Sequence, residues 1–225
     1  MKASSNEGEI NLGLGIDTGG TYTDAAILNM ASGAVLTKAK SLTTRENLTI
    51  GIGKAISALD KSLFDRVRLL AVSSTLATNS VVEGKGCRVG LIVIGHEAVP
   101  NIPVDEIVQL RGGHNLEGVR KNELDLDGAR EFVCSVKDKV DAFAISSYLS
   151  VRNPEHEIAV RELVKSLAPY PVVCGHELSS ALGFHERTIT AVLNARLIPI
   201  ITDLIASIKN VRDRLGIKAP LMIVK

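Results

Sequence analysis

Residues 15–24, with the sequence GIDTGGTYTD, bring together two carboxylates, two adjacent glycines and three threonine hydroxyls. Asp17 ends an apolar stretch, and Asp24 follows the Gly19-Gly20 turn. The backbone N–H groups of such a turn bind phosphate oxygens, hydroxyls add donors, and a carboxylate holds hydrated Mg²⁺. A plain hairpin turn is the alternative, because Asp, Gly and Thr are common in turns. An acid on either side of the turn favours the first interpretation, a magnesium–triphosphate site, and therefore predicts ATP as the ligand.

Two further segments carry side chains suited to ligand binding. Residues 73–79 (SSTLATN) follow a predicted strand and open a predicted helix, where anionic ligands gather in α/β proteins. Helix capping by a hydroxyl of this segment explains the same residues equally well. Residues 111–114 (RGGH) lie in a region without periodicity, where they would meet an anionic or carbonyl substrate or form an ordinary surface turn.

Apolar periodicity and turn residues predict an α/β fold that begins with three antiparallel strands. The predicted strands are 12–17, 22–29, 34–40, 69–73, 88–94, 142–146, 172–174 and 221–224. The predicted helices are 43–60 (capped by Thr43 or Thr44), 76–83, 127–137, 154–167 and 184–215, the last with a kink at Pro199. Residues 1–9 are predicted to be a flexible tail, residues 10–225 one domain, and about 95–125 an irregular insertion. An antiparallel start followed by alternating helices and strands predicts a mixed sheet with flanking helices.

Composition narrows the class of protein. The net charge is +1, with 26 basic and 25 acidic residues and no basic tract, which argues against a nucleic-acid partner. Three dispersed cysteines suggest neither a metal knuckle nor a disulfide framework. The polar N-terminus does not read as a signal peptide, and no apolar run reaches the roughly 18 residues of a membrane span. We expect a cytoplasmic protein that does not bind membranes.

Four segments together resemble the hydantoinase A / 5-oxoprolinase family, near its N-terminal half. They are residues 15–24, 74–86 (STLATNSVVEGKG), 147–157 (SYLSVRNPEHE) and 177–199 (ELSSALGFHERTITAVLNARLIP). The resemblance covers about residues 10–225, and it implies half of an actin-like ATPase fold, which is ribonuclease H-like. It further implies an enzyme that uses ATP and Mg²⁺ to open a five-membered cyclic amide (hydantoin, N-methylhydantoin or 5-oxoproline) by phosphorylating the amide oxygen.

The resemblance also implies roles for individual residues. Asp17 would hold Mg²⁺ through water, and Asp24 would orient the metal or the attacking group. The other cofactor-binding positions implied are Thr18, Gly19, Gly20, Thr21, Thr23, Thr75, Thr78 and Asn79. Glu186 and Arg187 are the further catalytic candidates, with Arg187 able to grip a carboxylate or phosphate with two nitrogens. His114 and Arg187 are the implied substrate contacts.

Members of this family are normally far longer than this chain. We therefore expect that the second ATPase half is absent here and that a C-terminal extension or a partner subunit, such as a hydantoinase B type protein, completes the site. Three alternatives stay open: a non-catalytic, nucleotide-dependent assembly subunit, an acetone-carboxylase-type subunit, and a small-molecule kinase of the same superfamily.

Overall fold

The computed structural model describes residues 11–44, 46–98 and 100–224. The strands are β1 (Leu12–Thr18), β2 (Tyr22–Asn29), β3 (Val35–Leu42), β4 (Val67–Ser74), β5 (Val89–Ile94), β6 (Glu106–Leu110), β7 (Ala142–Ser147), β8 (Val172–Cys174) and β9 (Leu221–Ile223). The helices are α1 (Leu48–Ser57), α2 (Leu76–Val82), α3 (Leu126–Val136), α4 (Glu155–Leu167) and α5 (Phe184–Arg214), with 3₁₀ helices at Lys61–Arg66 and Gly175–Glu177. The chain divides into two compact units, which we call unit 1 (described residues up to Glu83 and from Ile200 onward) and unit 2 (Gly84–Pro199).

Unit 1 is built on a five-stranded mixed sheet in the order β3-β2-β1-β4-β9. The first three strands form an antiparallel meander, and β4 and β9 run parallel to β1. Side chains alternate between the two faces of a strand. Leu12, Leu14 and Ile16 of β1 therefore share one face, where they are buried in a core that α1 and the C-terminal part of α5 complete.

Unit 2 contains a separate, fully parallel sheet in the order β6-β5-β7-β8. Every residue of β5 and β7 is buried, as expected for central parallel strands covered on both faces. One face packs against α3 and α4, and the other packs against the N-terminal part of α5.

Helix α5 is, among the described residues, the helix long and apolar enough to cross a membrane. It contains an 18-residue window of mean hydropathy 1.6, of which 22% is buried. Our prediction of no such segment rested on uninterrupted apolar runs, whereas this window tolerates charged residues. Length and composition alone are weak evidence for a membrane span, because the core helix of a soluble protein can pass the same test. Ala191 and Val192 lie in the core of unit 2, and Leu204 and Ile208 in the core of unit 1.

The mixed α/β class with an antiparallel three-strand start is confirmed. The region at 95–125, predicted to be irregular, contains β6, which pairs in parallel with β5. The prediction that Thr43 or Thr44 caps α1 is wrong: Asn47 caps it, with its Oδ1 accepting from Thr49 N at 3.1 Å. Thr43 is instead engaged by a distant turn, described below. The predicted tail, residues 1–9, lies outside the described residues.

Candidate functional site

The turn between β1 and β2 is closed by backbone hydrogen bonds. Gly19 N donates to Tyr22 O at 2.9 Å, and a Cβ added to Gly19 would lie 3.2 Å from that oxygen. Thr43 anchors the turn from outside, because its Oγ1 donates to Gly19 O at 2.9 Å and its N donates to Thr21 O at 2.9 Å. The Gly19 N–H, predicted to be a phosphate donor, is therefore already used in closing the hairpin.

Thr18 and Thr23 are cross-strand partners that face the interior of unit 1, where both are fully buried. The Thr23 hydroxyl lies 3.0 Å from the Thr43 hydroxyl, and Thr18 Oγ1 has no hydrogen-bond partner among the described residues. Since successive side chains of a strand point to opposite faces, these hydroxyls lie on the face opposite Asp17 and Asp24. The structure thus separates the two predicted threonines from the predicted carboxylates.

On the opposite face of the sheet, four side chains form what we call the polar row. The strand register places Lys40 beside Asp24, Asp24 beside Asp17, and Asp17 beside Ser73. Lys40 Nζ lies 3.3 Å from Asp24 Oδ1, and Ser73 Oγ donates to Asp17 Oδ1 at 2.9 Å. The ammonium group of Lys40 balances the charge of Asp24, whereas the partner of Asp17 is the neutral hydroxyl of Ser73. The polar row therefore leaves an unbalanced negative charge at Asp17.

The polar row lines a cleft of about 740 Å³ in unit 1. The cleft is also lined by three residues with no or small side chains, Gly15, Ala26 and Ala71, and by a second lysine, Lys38. Carboxylate oxygens suit Mg²⁺, and neighbouring ammonium groups suit phosphate oxygens. The carboxylates and ammonium groups that face this cleft therefore fit a magnesium–polyphosphate group.

The segment after β4 lies beside the hairpin turn. A Cβ added to Gly19 would lie 3.7 Å from Thr75 Oγ1, and Asn79 Nδ2 donates to the same oxygen at 3.5 Å. Thr78 is exposed. Ser74, not Thr75, supplies the capping hydroxyl, since Leu76 N donates to Ser74 Oγ at 3.1 Å. Thr75, Thr78 and Asn79 thus stay near the turn, but the seven-residue α2 offers too short a helix to act as an anion site by itself.

The other three predicted site residues, His114, Glu186 and Arg187, belong to unit 2. Glu186 is exposed. Arg187 is 1% exposed, and its Nη atoms donate to the backbone oxygens of Ala181, Gly183 and Ser147. Three of the five guanidinium N–H groups are thus engaged by backbone oxygens, whereas Nε–H and one N–H of Nη2 remain, so the two-nitrogen grip expected of Arg187 stays a prediction.

His114 packs against His156, with ring centroids 4.3 Å apart and both side chains buried. Gly113 N donates to His156 Nδ1 at 3.0 Å, whereas neither ring nitrogen of His114 has a partner among the described residues. Burial lowers the pKa of both imidazoles below their ordinary value of 6.5, and the coulombic effect of His114 lowers that of His156 further. Both rings are therefore neutral at pH 7.

Sequence analysis missed a buried network around Glu157, which is fully buried. Its Oε1 accepts from Ser147 N at 2.7 Å, and its Oε2 accepts from His176 N at 2.9 Å and faces His176 Nδ1 at 2.5 Å. Cys174 completes the one group of three metal-type side chains found among the described residues, with ligand atoms within 4.8 Å. Burial, then Glu157, raises the pKa of the Cys174 thiol to about 12. Because these atoms already have protein partners and the thiol keeps its proton, the group is stable without a cation.

Lys38 and Lys40 were also missed, and Ser73 was noted only as part of the 73–79 segment, without a role of its own. The Lys38-Ala39-Lys40 alternation in a predicted strand was the available signal, since it places both ammonium groups on one face. That this face is the one bearing Asp17 follows only from the pairing of β3 with β2.

The chain matches the sequence model of the hydantoinase/oxoprolinase N-terminal region over residues 13–168. It is 30% identical to the acetophenone carboxylase gamma subunit of Aromatoleum aromaticum, over 88% of this chain and 32% of that protein. It is 28% identical to the caprolactamase subunit alpha of Pseudomonas jessenii, over 92% of this chain and 34% of that protein. The crystal structure of the ATP-dependent caprolactamase from Pseudomonas jessenii superposes with a TM-score of 0.75 and 26% identity, covering 94% of this chain and 35% of that one. This chain spans about a third of the length of these curated relatives.

Proposed function

This chain belongs to the hydantoinase/oxoprolinase family, whose N-terminal region it matches, and on that premise we propose that it is part of an ATP-dependent enzyme that opens a five-membered cyclic amide. The substrate class is hydantoin, N-methylhydantoin or 5-oxoproline. The observation that carries the proposal is the polar row, which sets an unbalanced carboxylate beside lysines on an open cleft. A caprolactamase of similar fold that is described as ATP-dependent supports it.

In this proposal the residues of the polar row and Lys38 each have a task. Asp17 holds hydrated Mg²⁺, and Ser73 fixes the orientation of its carboxylate. Lys40 keeps Asp24 in place and, with Lys38, attracts the phosphates. Bound Mg-ATP would supply the phosphoryl group that makes the amide carbonyl carbon open to attack by water. Such transfer depends on positioning and charge neutralisation more than on covalent chemistry of the protein.

The remaining predicted residues keep secondary tasks. Gly20 and Thr21 would offer the turn to the phosphates, and Thr75, Thr78 and Asn79 would line the neighbouring wall. His114, Glu186 and Arg187 remain predicted substrate contacts within unit 2. Because the relatives named above are subunits, a partner subunit that completes the active enzyme is part of the proposal. So is a cytoplasmic location, which cell fractionation of the native host would check.

Calorimetric titration of Mg-ATP into the enzyme completed by its second half or partner subunit tests the nucleotide site. We expect micromolar, Mg²⁺-dependent binding that Asp17→Ala weakens at least about tenfold, since a lost charge-assisted ligand costs about 1.5–3 kcal/mol. Asp65→Ala, which removes an exposed carboxylate of the same unit, is the matched control. Equal affinities for the parent chain and Asp17→Ala would refute the assignment of Asp17.

A second candidate is an ATP-dependent carboxylase subunit, which the 30% identity to the acetophenone carboxylase gamma subunit favours. The two candidates differ in what stimulates ATP hydrolysis by the assembled enzyme. Stimulation by hydantoin or 5-oxoproline without bicarbonate supports the cyclic-amide reaction. Stimulation by a ketone that requires bicarbonate supports the carboxylase.

A further inference from the structure

The carboxyl edge of the parallel sheet in unit 2 has the topology of a ligand site. From β5 the chain adds β6 on one side, and then β7 on the other side of β5. The crevice where strand order reverses, outside the carboxyl ends of the strands, is where open α/β sheets bind ligands. Here the strand order reverses between β5 and β7, whose last residues, Ile94 and Ser147, are register partners.

Buried polar atoms without partners concentrate at this edge. Across the described residues six such side-chain atoms occur, and five of them are His114 Nδ1 and Nε2, Ser147 Oγ, Ser150 Oγ and Arg187 Nε. None of these four residues is more than 1% exposed. A buried polar atom left unpaired costs about 1–3 kcal/mol, so this concentration at one edge calls for a bound partner.

The four residues also meet at two consecutive backbone carbonyls, those of Ser147 and Tyr148. His114 N donates to Tyr148 O at 3.3 Å, Ser150 N donates to Ser147 O at 3.2 Å, and Arg187 Nη2 donates to Ser147 O at 3.2 Å. All five unpaired atoms therefore belong to Ser147 itself or to residues that hydrogen-bond to Ser147 O or Tyr148 O, the two consecutive carbonyls at the end of β7.

The backbone around this point adopts unusual conformations. Gly95 and Gly112 have φ of 72° and 145°, and a Cβ on Gly95 would lie 2.6 Å from Gly112 O. Leu149, which is not a glycine, has φ of 54°. Conformations of this kind cluster at functional sites, because surrounding structure must maintain them.

Ring side chains form a partly exposed wall beside these atoms. His96 stacks near Phe184 and Tyr148, with ring centroids 4.4 and 5.1 Å away, and His185 meets His96 edge-on at 5.7 Å. His96 and Tyr148 are half-buried and His185 is exposed. A wall of this kind suits the flat faces of a small planar molecule.

Charges at this edge are balanced, which limits the ligand chemistry. Glu157 is the charged group that acts on Arg187, and both are buried. The imidazoles of His114 and His156 are neutral at pH 7 because burial lowers their pKa. What remains for a ligand is a neutral ring with one donor and one acceptor nitrogen, two hydroxyls and two N–H groups of Arg187.

We infer that this edge of unit 2 binds a small, neutral, planar amide, whose C=O and N–H groups pair with His114, Ser147 and Ser150 beneath the wall of rings. The choice of a cyclic amide as ligand rests on the proposed function. The location rests on the unpaired atoms and the sheet topology alone.

The test uses hydantoin as the probe on the ¹⁵N-labelled chain, followed by amide chemical shifts. We expect shifts at residues 94–96, 112–115 and 146–150. Ser147→Ala and Ser150→Ala should each weaken the affinity for hydantoin about tenfold, as loss of one hydrogen bond predicts. Both variants should keep or raise the Tm, because each removes an unpaired buried hydroxyl. Ser135→Ala, whose exposed hydroxyl donates to Phe132 O at 2.8 Å, is the matched control.

Absence of shifts at these amides overturns the inference, as does a fall in Tm with unchanged hydantoin affinity in both serine variants, which is what a purely structural role predicts. The nucleotide arm is independent, since it uses Mg-ATP and Asp17→Ala. Hydantoin binding here, together with no Mg-ATP binding by the enzyme completed by its second half or partner subunit, would refute the proposed function and support this site. Mg-ATP binding without hydantoin binding would do the reverse.

Discussion

Glu157→Gln should destabilise unit 2 severely. The native carboxylate presents two oxygens to three N–H groups, from Ser147 and from the backbone and ring of His176. Glutamine offers one oxygen, and its NH₂ group would face an N–H donor. The substitution is nearly isosteric, so the effect reports on charge and hydrogen bonding and not on cavity formation.

The magnitude follows from the bonds that change. Loss of one charge-assisted hydrogen bond costs about 1.5–3 kcal/mol, and one buried N–H left unpaired costs about 1–3 kcal/mol. The buried Arg187 also loses the charge that stabilises its cationic form, a loss that is strongly destabilising in buried pairs. We expect a decrease of about 3–5 kcal/mol in the free energy of unfolding, a large share of the about 5–15 kcal/mol typical of a domain.

Urea unfolding, monitored by hydrogen exchange at the amides of β7 and β8, measures the change in the free energy of unfolding of unit 2. Glu177→Gln is the matched control, because Glu177 is a partly exposed acid that pairs with Arg161 at 2.6 Å. A surface pair of this kind contributes about 0.2–1 kcal/mol. Equal, small effects of Glu157→Gln and Glu177→Gln would refute the view that both oxygens of the buried Glu157 side chain are needed as hydrogen-bond acceptors.

Two further predictions concern unit stability. Gly95→Ala should cost about 1–3 kcal/mol more than Gly33→Ala, since both have φ near 73° but only Gly95 would place a Cβ against Gly112 O, and nothing lies within 4 Å at Gly33. Equal denaturation midpoints for the two variants would contradict this close approach. Burial lowers the pKa of His114 and His156 in the folded state, so the unfolded chain binds more protons, and the stability of unit 2 should be full above pH 6.5 and fall as the pH drops below it. Urea midpoints between pH 7.5 and 5 measure this, and a flat profile would be inconsistent with neutral, buried imidazoles.

The β1–β2 hairpin shows what local sequence predicts well. Apolar alternation and the Gly19-Gly20 turn were sufficient for strands, turn and an acid at either side, because these depend on neighbours in sequence. The sequence also predicted that all three threonine hydroxyls of this segment bind phosphate. In the structure the Thr23 hydroxyl faces the interior and contacts the hydroxyl of Thr43, twenty residues away. A contact of that range leaves no local trace.

Residues 153–157 show the same limit in unit 2. A helix over 154–167 was predicted here, and α4 does begin at Glu155. The role of Glu157 came instead from Ser147 and His176, which approach it from other elements. Strand β6 escaped prediction because its pairing with β5 outweighs the Pro- and Gly-rich sequence around it.

The sequence by itself determined the family, the mixed α/β class, the positions of most strands and helices, and the presence of Asp17 and Asp24 at a tight turn. These depend on local propensity, periodicity and a recognisable order of segments. Tertiary structure alone decided that Lys40 and Ser73 flank those carboxylates, that Arg187 is engaged by backbone carbonyls, and that unpaired polar atoms gather where β7 ends. Strand register and burial set these features, because they bring together residues whose separation in sequence carries no periodic signal.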